Sequence, residues 1–482
     1  MDHSPHLANN ALCDAIDATV AQQLRRRRVP GAALAIVEGQ RIVHARGFGQ
    51  ARPGGGPPTP QTPFYIGSLT KSMTALAVMQ LVEAGRIELD APVRRYLPWF
   101  RVADAQASDL MTVRHLLNQT SGLPTSAGEV CLADFDDRPG AAERQARALA
   151  SLRLARPVGA AFEYSNANYN LLGLIIEAAG DQSYASAIES HIFAPLEMRH
   201  STTDPAAAER DGLAAGYRYW FARPRAAPDI PVAHGSLAAG MILSCVEDVA
   251  HYLIAMLNDG RYGDAQLLST AGLAELHHGA AEFKAYGLSL GRYGMGWNVT
   301  AIGGQKLLWH SGILPHFFAY MALLPEQRRG VVLLCNADNH WMSPVLTDIG
   351  TSVTALLAGE QPAALPFVGL IPWLLRGLLL LPLLQAGGLA ATVWRALRPR
   401  LSPGPRLTGP ARWGLAALRS SLLYLLPALA LKPLLGQRRG YLRLYMPDYY
   451  WSAILCGGLA AVGGLSHAGL ALRAHRRRRN HG

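Results

Sequence analysis

Apolar positions recur at i, i+4 spacing through residues 10–28, where Leu12, Ile16, Val20 and Leu24 share one face and predict an amphipathic helix. Two β-type runs follow, Ala32–Val37 and Arg41–Phe48, and the Glu-Gly-Gln between them predicts a hairpin turn. A long Ala-rich middle carries helical runs. One holds Met73, Leu76, Ala77, Val78 and Leu81 and stops at Gly85; another holds Leu171, Leu172, Leu174 and Ile175. Downstream, Lys306–His310, Phe317–Leu324 and Gly330–Cys335 read as strands, and Val345–Leu357 as a closing helix. Helix and hairpin at one end, strands and helix at the other, predict a sheet assembled from both chain ends. The helical middle packs on one face of it, an α/β (α+β) architecture. No internal repeat at solenoid or propeller spacing is visible.

The pattern changes after Pro366, which divides the chain into residues 1–365 and 366–482. Three apolar stretches follow, Leu370–Val393, Trp413–Leu431 and Tyr449–Leu472. Each is near the ~20 residues that cross a bilayer as helix. The third carries no formal charge; Arg376 and Arg419 interrupt the others close enough to an end to snorkel. Charge follows the same boundary. Of 45 basic and 34 acidic residues, 16 and one (Asp448) fall after residue 365. A single acid is too little charge to coat a soluble surface, so three transmembrane helices are expected, with the lipid bilayer as partner. The net +11 belongs to arginine clusters beside apolar runs, which argues against nucleic acid as a partner.

The arginines also orient the spans. Arg395, Arg398, Arg400, Arg406 and Arg412 lie between the first two, and Arg473 and Arg476 to Arg479 follow the third. Only Lys432, Arg438, Arg439 and Arg443 separate the second from the third. The positive-inside rule puts the first loop and the tail in the cytoplasm and residues 1–365 on the outer side. The first twenty residues hold no apolar signal region, so a signal lying upstream is expected in preference to an inverted topology. The cysteines (Cys13, Cys131, Cys245, Cys335, Cys456) are scattered and odd in number, without the CxxC pairs of a zinc site or the pattern of a disulfide framework.

Chemistry gathers at three places. In Phe64-Tyr-Ile-Gly-Ser68-Leu-Thr-Lys71, serine at a helix start and lysine at i+3 share a face, and the helix N-terminus favours negative charge beside the serine. A serine hydroxyl needs a base, and a desolvated lysine supplies one. Only four lysines occur in the chain (Lys71, Lys284, Lys306, Lys432), and only Lys71 has serine three residues before it. Arginine serves elsewhere but cannot be deprotonated. The second place is Tyr164-Ser-Asn166, at the entry to a helical run, where a tyrosinate beside a lysine ammonium is a general base and the Asn166 amide binds a substrate carbonyl. The third is His310-Ser-Gly312 at a strand end, where Gly312 admits substrate backbone and the Ile313 N–H is an oxyanion donor. His277-His278-Gly279 repeats the His-x-Gly pattern at a helix end and is discounted.

These elements in this order resemble the serine β-lactamase and penicillin-binding superfamily, with its S-x-x-K, Y-x-N or S-D-N, and K-T-G motifs. The tyrosine form, and His310 where penicillin-recognising members have lysine, are similar to the class C β-lactamase and D-aminopeptidase/esterase branch. His115-Leu-Leu-Asn-Gln-Thr-Ser-Gly-Leu123, the Leu237–Asp248 segment and Tyr293-Gly-Met-Gly-Trp297 resemble it too. The resemblance covers residues 10–358. It implies attack by Ser68, proton shuttling by Lys71 and Tyr164, and an oxyanion hole of the Ser68 and Ile313 N–H groups, with no cofactor and no metal. Loss of the third-motif lysine weakens the case for β-lactam or carboxylate-ended substrates.

With three C-terminal helices the layout is similar to membrane-bound prodrug-activating peptidases of nonribosomal peptide pathways, of the colibactin- and xenocoumacin-maturing type. That implies removal of an N-acyl-D-asparagine cap at the periplasmic side of a bacterial inner membrane, on a small peptide or acyl-peptide substrate, with His234 reading the side chain. An esterase or D-amino-acid peptidase or carboxypeptidase of the cell envelope is the alternative. A non-catalytic ligand-binding membrane receptor is the alternative of another class. Oligomeric state is not legible.

Overall fold

The structure, a computed structural model, describes residues 5–227, 231–285, 288–363, 367–397, 436 and 438–479. Contacts divide the chain into two units. One holds Met1–Tyr219 and Arg223–Gly369; the other holds Leu370–Gly482 with Trp220–Ala222.

The first unit is organised on an eight-stranded antiparallel sheet. Its strands are β1 (Gly31–Glu38), β2 (Arg41–Gly49), β3 (Ala281–Ala285), β4 (Leu288–Tyr293), β5 (Asn298–Ile302), β6 (Gln305–Ile313), β7 (Phe318–Leu324) and β8 (Arg329–Cys335), in the spatial order β2-β1-β8-β7-β6-β5-β4-β3. The two chain ends meet where β1 pairs with β8, Ala32 opposite Cys335 and Val37 opposite Gly330. Gly39 takes φ +60° in the β1–β2 turn, a conformation that costs glycine least. Strands β3–β5 carry no clear period-two signal. A register shift between Ser289 and Arg292 and Gly291 at φ +117° interrupt their alternation.

Helices α1 (Pro5–Arg27), α2 (Thr70–Glu83), α3 (Asn166–Gly180), α4 (Val246–Leu257) and α5 (Ser343–Ala358) frame the sheet. β1, β7 and β8 are buried along almost their whole length, so they are covered on both faces rather than one. α5 packs on β7 and β8, and α4 on β1 and β8. Ile16, Val20 and Leu24 of α1 are buried, and α1 is tied to α5 by Gln23 Nε2 donating to Ser352 Oγ at 3.0 Å and Arg27 Nε donating to the Val345 carbonyl at 2.8 Å. The helical middle, including α2 and α3, brings the candidate site to the side of β6.

The second unit contains α6 (Ile371–Gly377), α7 (Leu380–Leu397), α8 (Arg439–Tyr445) and α9 (Pro447–Arg479). Here the first apolar stretch differs from the single helix expected. It breaks at Leu378–Leu379, because Pro382 has no N–H to give and its ring collides with the carbonyl four residues back. Val368–Ala391, of mean hydropathy 1.7, is the one stretch among the described residues that is long and apolar enough to cross a membrane. The expected span Trp413–Leu431 lies outside the described residues. The third lies within α9, a helix of 33 residues. α7 and α8 each pack on α9, and Leu442 of α8 clusters with Tyr450 and Ala453 of α9. Leu374, Leu383, Leu384, Leu397 and Leu465 point outward, each more than 60 % exposed, the reverse of the usual water-facing pattern.

Candidate active site

Ser68 sits in a 3-10 turn, Gly67–Leu69, that runs directly into α2. Gly67 adopts φ +53°, and a Cβ there would fall 2.7 Å from the Ile313 amide nitrogen. Gly312 is as constrained, since its Cβ would fall 2.0 Å from the Ile66 carbonyl oxygen. Two glycines thus let the serine turn press against β6, bringing Ser68 beside Gly312 and Ile313. The third motif does not close a strand, as expected from sequence; β6 continues through it to Ile313.

Lys71 lies in the first turn of α2 with no exposed surface. Its Nζ is 2.8 Å from Ser68 Oγ, 2.7 Å from Asn166 Oδ1 and 2.6 Å from the Ala239 carbonyl oxygen. The Tyr164 hydroxyl donates to Ser68 Oγ at 2.9 Å. By count, an ammonium could donate to all three oxygens around Nζ. Burial works against that charge, holding the Lys71 pKa well below the ordinary lysine range and pushing the Tyr164 hydroxyl up. In the neutral state the network closes without a leftover. Nζ donates to the two oxygens that can only accept, and its lone pair faces the Ser68 hydroxyl, which in turn accepts from Tyr164. Of the two base arrangements read from sequence, a desolvated lysine and a tyrosinate beside an ammonium, burial favours the first, because a desolvated interior disfavours both charges.

Asn166 opens α3 and is buried, with its amide oxygen engaged by Lys71 rather than free for a substrate. Its Nδ2 group is the donor left for a ligand. His310, on β6, is buried, and burial foremost brings its pKa down to about 3, so the ring is neutral. Nδ1 donates to the Ser311 carbonyl at 2.7 Å, which leaves Nε2 to accept from the Tyr293 hydroxyl at 3.4 Å. No lasting positive charge therefore stands at the third motif. His234 is exposed at the head of a short turn leading into the Leu237–Gly240 helix, and joins none of these hydrogen bonds.

Three contributors escaped the sequence reading. The Ala239 carbonyl is a main-chain group, invisible in a side-chain motif. Tyr293 packs edge-on to Tyr164 and His310, with centroids 6.3 and 5.9 Å away. Gln119, inside the His115–Leu123 segment, is fully buried at φ +57°. Its main-chain oxygen accepts from the Glu163 N–H at 2.8 Å and its Oε1 from the Ser165 N–H at 2.9 Å, so it grips both neighbours of Tyr164. Among the described residues no three His, Cys, Asp or Glu side chains are grouped to hold a metal ion.

A family model described as Beta-lactamase matches residues 16–348. Penicillin-binding protein 4 of Amycolatopsis lactamdurans is 31% identical over 352 residues, covering 69% of this chain and 87% of that protein. Protein flp of Staphylococcus aureus (strain MW2) is 28% identical over 347 residues, 70% of this chain, and the match spans 66% of flp's length. An octameric penicillin-binding protein homologue from Pyrococcus abyssi superposes with a TM-score of 0.63 at 30% identity, covering 74% of this chain and 80% of that one. A class C β-lactamase structure, with TM-score 0.60 at 21% identity over 74% of this chain and 98% of its own, shares the fold. The chain belongs to the β-lactamase family, within the superfamily of serine β-lactamases and penicillin-binding proteins.

Proposed function

We propose that the chain is a membrane-anchored serine hydrolase working through an acyl-Ser68 intermediate. The observation that carries this reading is the placement of Ser68 Oγ between Lys71 Nζ at 2.8 Å and the Tyr164 hydroxyl at 2.9 Å. Ser68 Oγ attacks the substrate carbonyl carbon as its proton passes to neutral Lys71 Nζ. The oxygen that gains charge faces the Ser68 and Ile313 N–H groups. The C–N or C–O bond then breaks as the proton that Lys71 took from Ser68 passes to the leaving atom, with the Tyr164 hydroxyl hydrogen-bonded beside it. Water adds to the acyl-serine by the same relay and frees Ser68.

The more specific reading is a peptidase that removes an N-acyl-D-asparagine cap from a nonribosomal peptide prodrug. The C-terminal apolar stretches and the missing cation at His310 support it, because such a substrate carries no carboxylate at the cleaved bond. The Asn166 Nδ2 group is the substrate donor, and His234 is the reader of the cap's side chain. The likeness to a penicillin-binding protein favours the alternative, an envelope carboxypeptidase or esterase; neutral His310 opposes the carboxypeptidase form.

Hydrolysis of matched N-acyl-D-asparaginyl and N-acyl-L-asparaginyl amides by detergent-solubilised chain separates these readings. Cleavage of the D form alone, absent in Ser68→Ala, is expected. Cleavage of neither, with Ser68 still modified by a fluorophosphonate, transfers the activity to another envelope substrate. For the anchoring, with three spans in the inner membrane and an outer catalytic unit, a reporter fused after Gly482 is expected in the cytoplasm. A periplasmic signal there contradicts the topology.

A further inference from the structure

Lys71 and Thr74 stand one turn apart on the same face of α2, and both are fully buried. Each takes a carbonyl of the Leu237–Gly240 helix, and the two carbonyls are consecutive. Lys71 Nζ is 2.6 Å from the Ala239 oxygen, and Thr74 Oγ1 is 2.8 Å from the Ala238 oxygen. A helix of four residues leaves its last carbonyls without partners of its own, and α2 supplies them.

The direction of the Thr74 bond follows from its neighbours. Its one proton can go to the Ala238 oxygen or to the Thr70 oxygen, 3.2 Å away, and the first is closer. The Tyr184 hydroxyl, buried and 2.7 Å away, then donates to Thr74 Oγ1. Burial pushes the Tyr184 phenol up, so it keeps that proton. From the other side α3 closes on the same residue, where a Cβ on Gly173 would fall 2.7 Å from the Ala238 Cβ. Ala238 is thus held by a hydroxyl at its oxygen and by α3 at its methyl.

We propose that Thr74 is a positioning residue for Lys71, acting through the Ala238–Ala239 backbone, with Tyr184 fixing its hydroxyl. This rests on the acyl-Ser68 reading, in which neutral Lys71 takes the serine proton. Neutral Nζ has two N–H groups, engaged by Asn166 Oδ1 and the Ala239 oxygen, and their directions aim its lone pair at Ser68 Oγ. None of the hydrogen bonds of Thr74 reaches Ser68. Without the Thr74 hydroxyl the Ala238 oxygen is unpaired and the next carbonyl turns from Lys71. The base is then misaimed, and its ammonium form loses an acceptor.

The test follows the rate at which a fluorophosphonate modifies Ser68 in the detergent-solubilised full chain, as a function of pH. Thr74→Val keeps the side-chain shape and removes the hydroxyl, and its rate is expected to fall about 10- to 100-fold. Its acid limb is expected to move to lower pH, because an ammonium with fewer acceptors is harder to form. Among the described residues the titratable groups facing Lys71 are Tyr164, Tyr169 and His310. Burial keeps all three neutral, so none supplies a competing shift. Thr74→Ser, which restores the hydroxyl, is expected to recover both rate and limb. Thr74→Val strands the Tyr184 hydroxyl, so adding Tyr184→Phe is expected to keep the rate loss and raise the melting temperature. General loosening would instead admit water, raise the Lys71 value and move the limb upward. That upward shift, or the parent rate and limb in both valine variants, overturns the positioning role alone. Failure of the parent chain itself to be modified overturns the hydrolase reading with it.

Discussion

Gly67 and Gly312 face each other across the junction of the serine turn and β6, at a separation that leaves room for neither Cβ. A methyl at Gly67 meets the Ile313 nitrogen, and one at Gly312 meets the Ile66 carbonyl oxygen. Backbone on both sides means that no side chain can swing away to relieve the overlap. Gly312→Ala is therefore expected to push β6 from the turn and part the two N–H groups flanking Ser68. A displacement near 1 Å lowers kcat by about 100-fold, with a stability loss of about 1–3 kcal/mol. Ester kinetics and a urea unfolding curve on the same preparation measure both. Normal kcat in a folded Gly312→Ala protein contradicts the role given to this contact.

Burial sets the pH behaviour. The ammonium form of Lys71 is disfavoured, so its neutral amine persists well below the pH at which free lysine is protonated. Activity is expected to fall on the acid side as pH drops through the lowered Lys71 value. Because Tyr164 is shifted upward, no alkaline loss from its ionisation is expected below its ordinary value near 10. Lys71→Arg places a guanidinium that cannot present a lone pair, so acylation is expected to slow by at least about 100-fold. Turnover within tenfold of the parent in Lys71→Arg rejects Lys71 as base.

Gln119 acts through Tyr164 rather than on substrate. Gln119→Ala removes the Oε1 that holds the Ser165 N–H and leaves that buried donor unmatched, at a cost of about 1–3 kcal/mol. Loosening of the Tyr164 hydroxyl is expected to lower kcat about 10- to 100-fold with KM nearly unchanged. Gln119→Glu, which keeps an oxygen acceptor, is expected to restore part of kcat. An equal loss in KM and none in kcat contradicts a positioning role.

Much of this was legible in the chain. Leu12, Ile16, Val20 and Leu24 mark a helix because burial on one side imposes the helical repeat, and the β1–β2 hairpin is written in two β-rich runs around Glu-Gly-Gln. The serine, lysine and tyrosine motifs stand out because chemistry restricts residue type. What the pattern hides is physical too. Strands β3–β5 are broken by a register shift and Gly291, the Ala239 acceptor is backbone, and Gln119 acts from a left-handed conformation that composition does not advertise. The break at Leu378–Leu379 was written in Pro382, yet hydropathy alone averages over it.

His277 and His316 extend the account to acid stability. Both are buried, and burial brings each down to about 3 from an ordinary 6.5. Between those values the unfolded chain binds more protons than the folded one. Stability is therefore expected to be fully present above pH 6.5 and to be lost as pH falls toward 3, at up to about 1.4 kcal/mol per histidine per pH unit. Urea midpoints at pH 7 and pH 5 measure the loss, and His277→Phe is expected to shrink it. An unchanged midpoint between the two pH values refutes neutral burial.

The central claim is that Ser68 is the nucleophile that Lys71 activates. Its most direct test is a fluorophosphonate adduct on the detergent-solubilised full chain, located by peptide mass and followed over time. The account predicts one adduct, on Ser68, absent in Ser68→Ala and formed at least about 100-fold more slowly in Lys71→Arg. An adduct that persists in Ser68→Ala, or forms at the parent rate in Lys71→Arg, would contradict it.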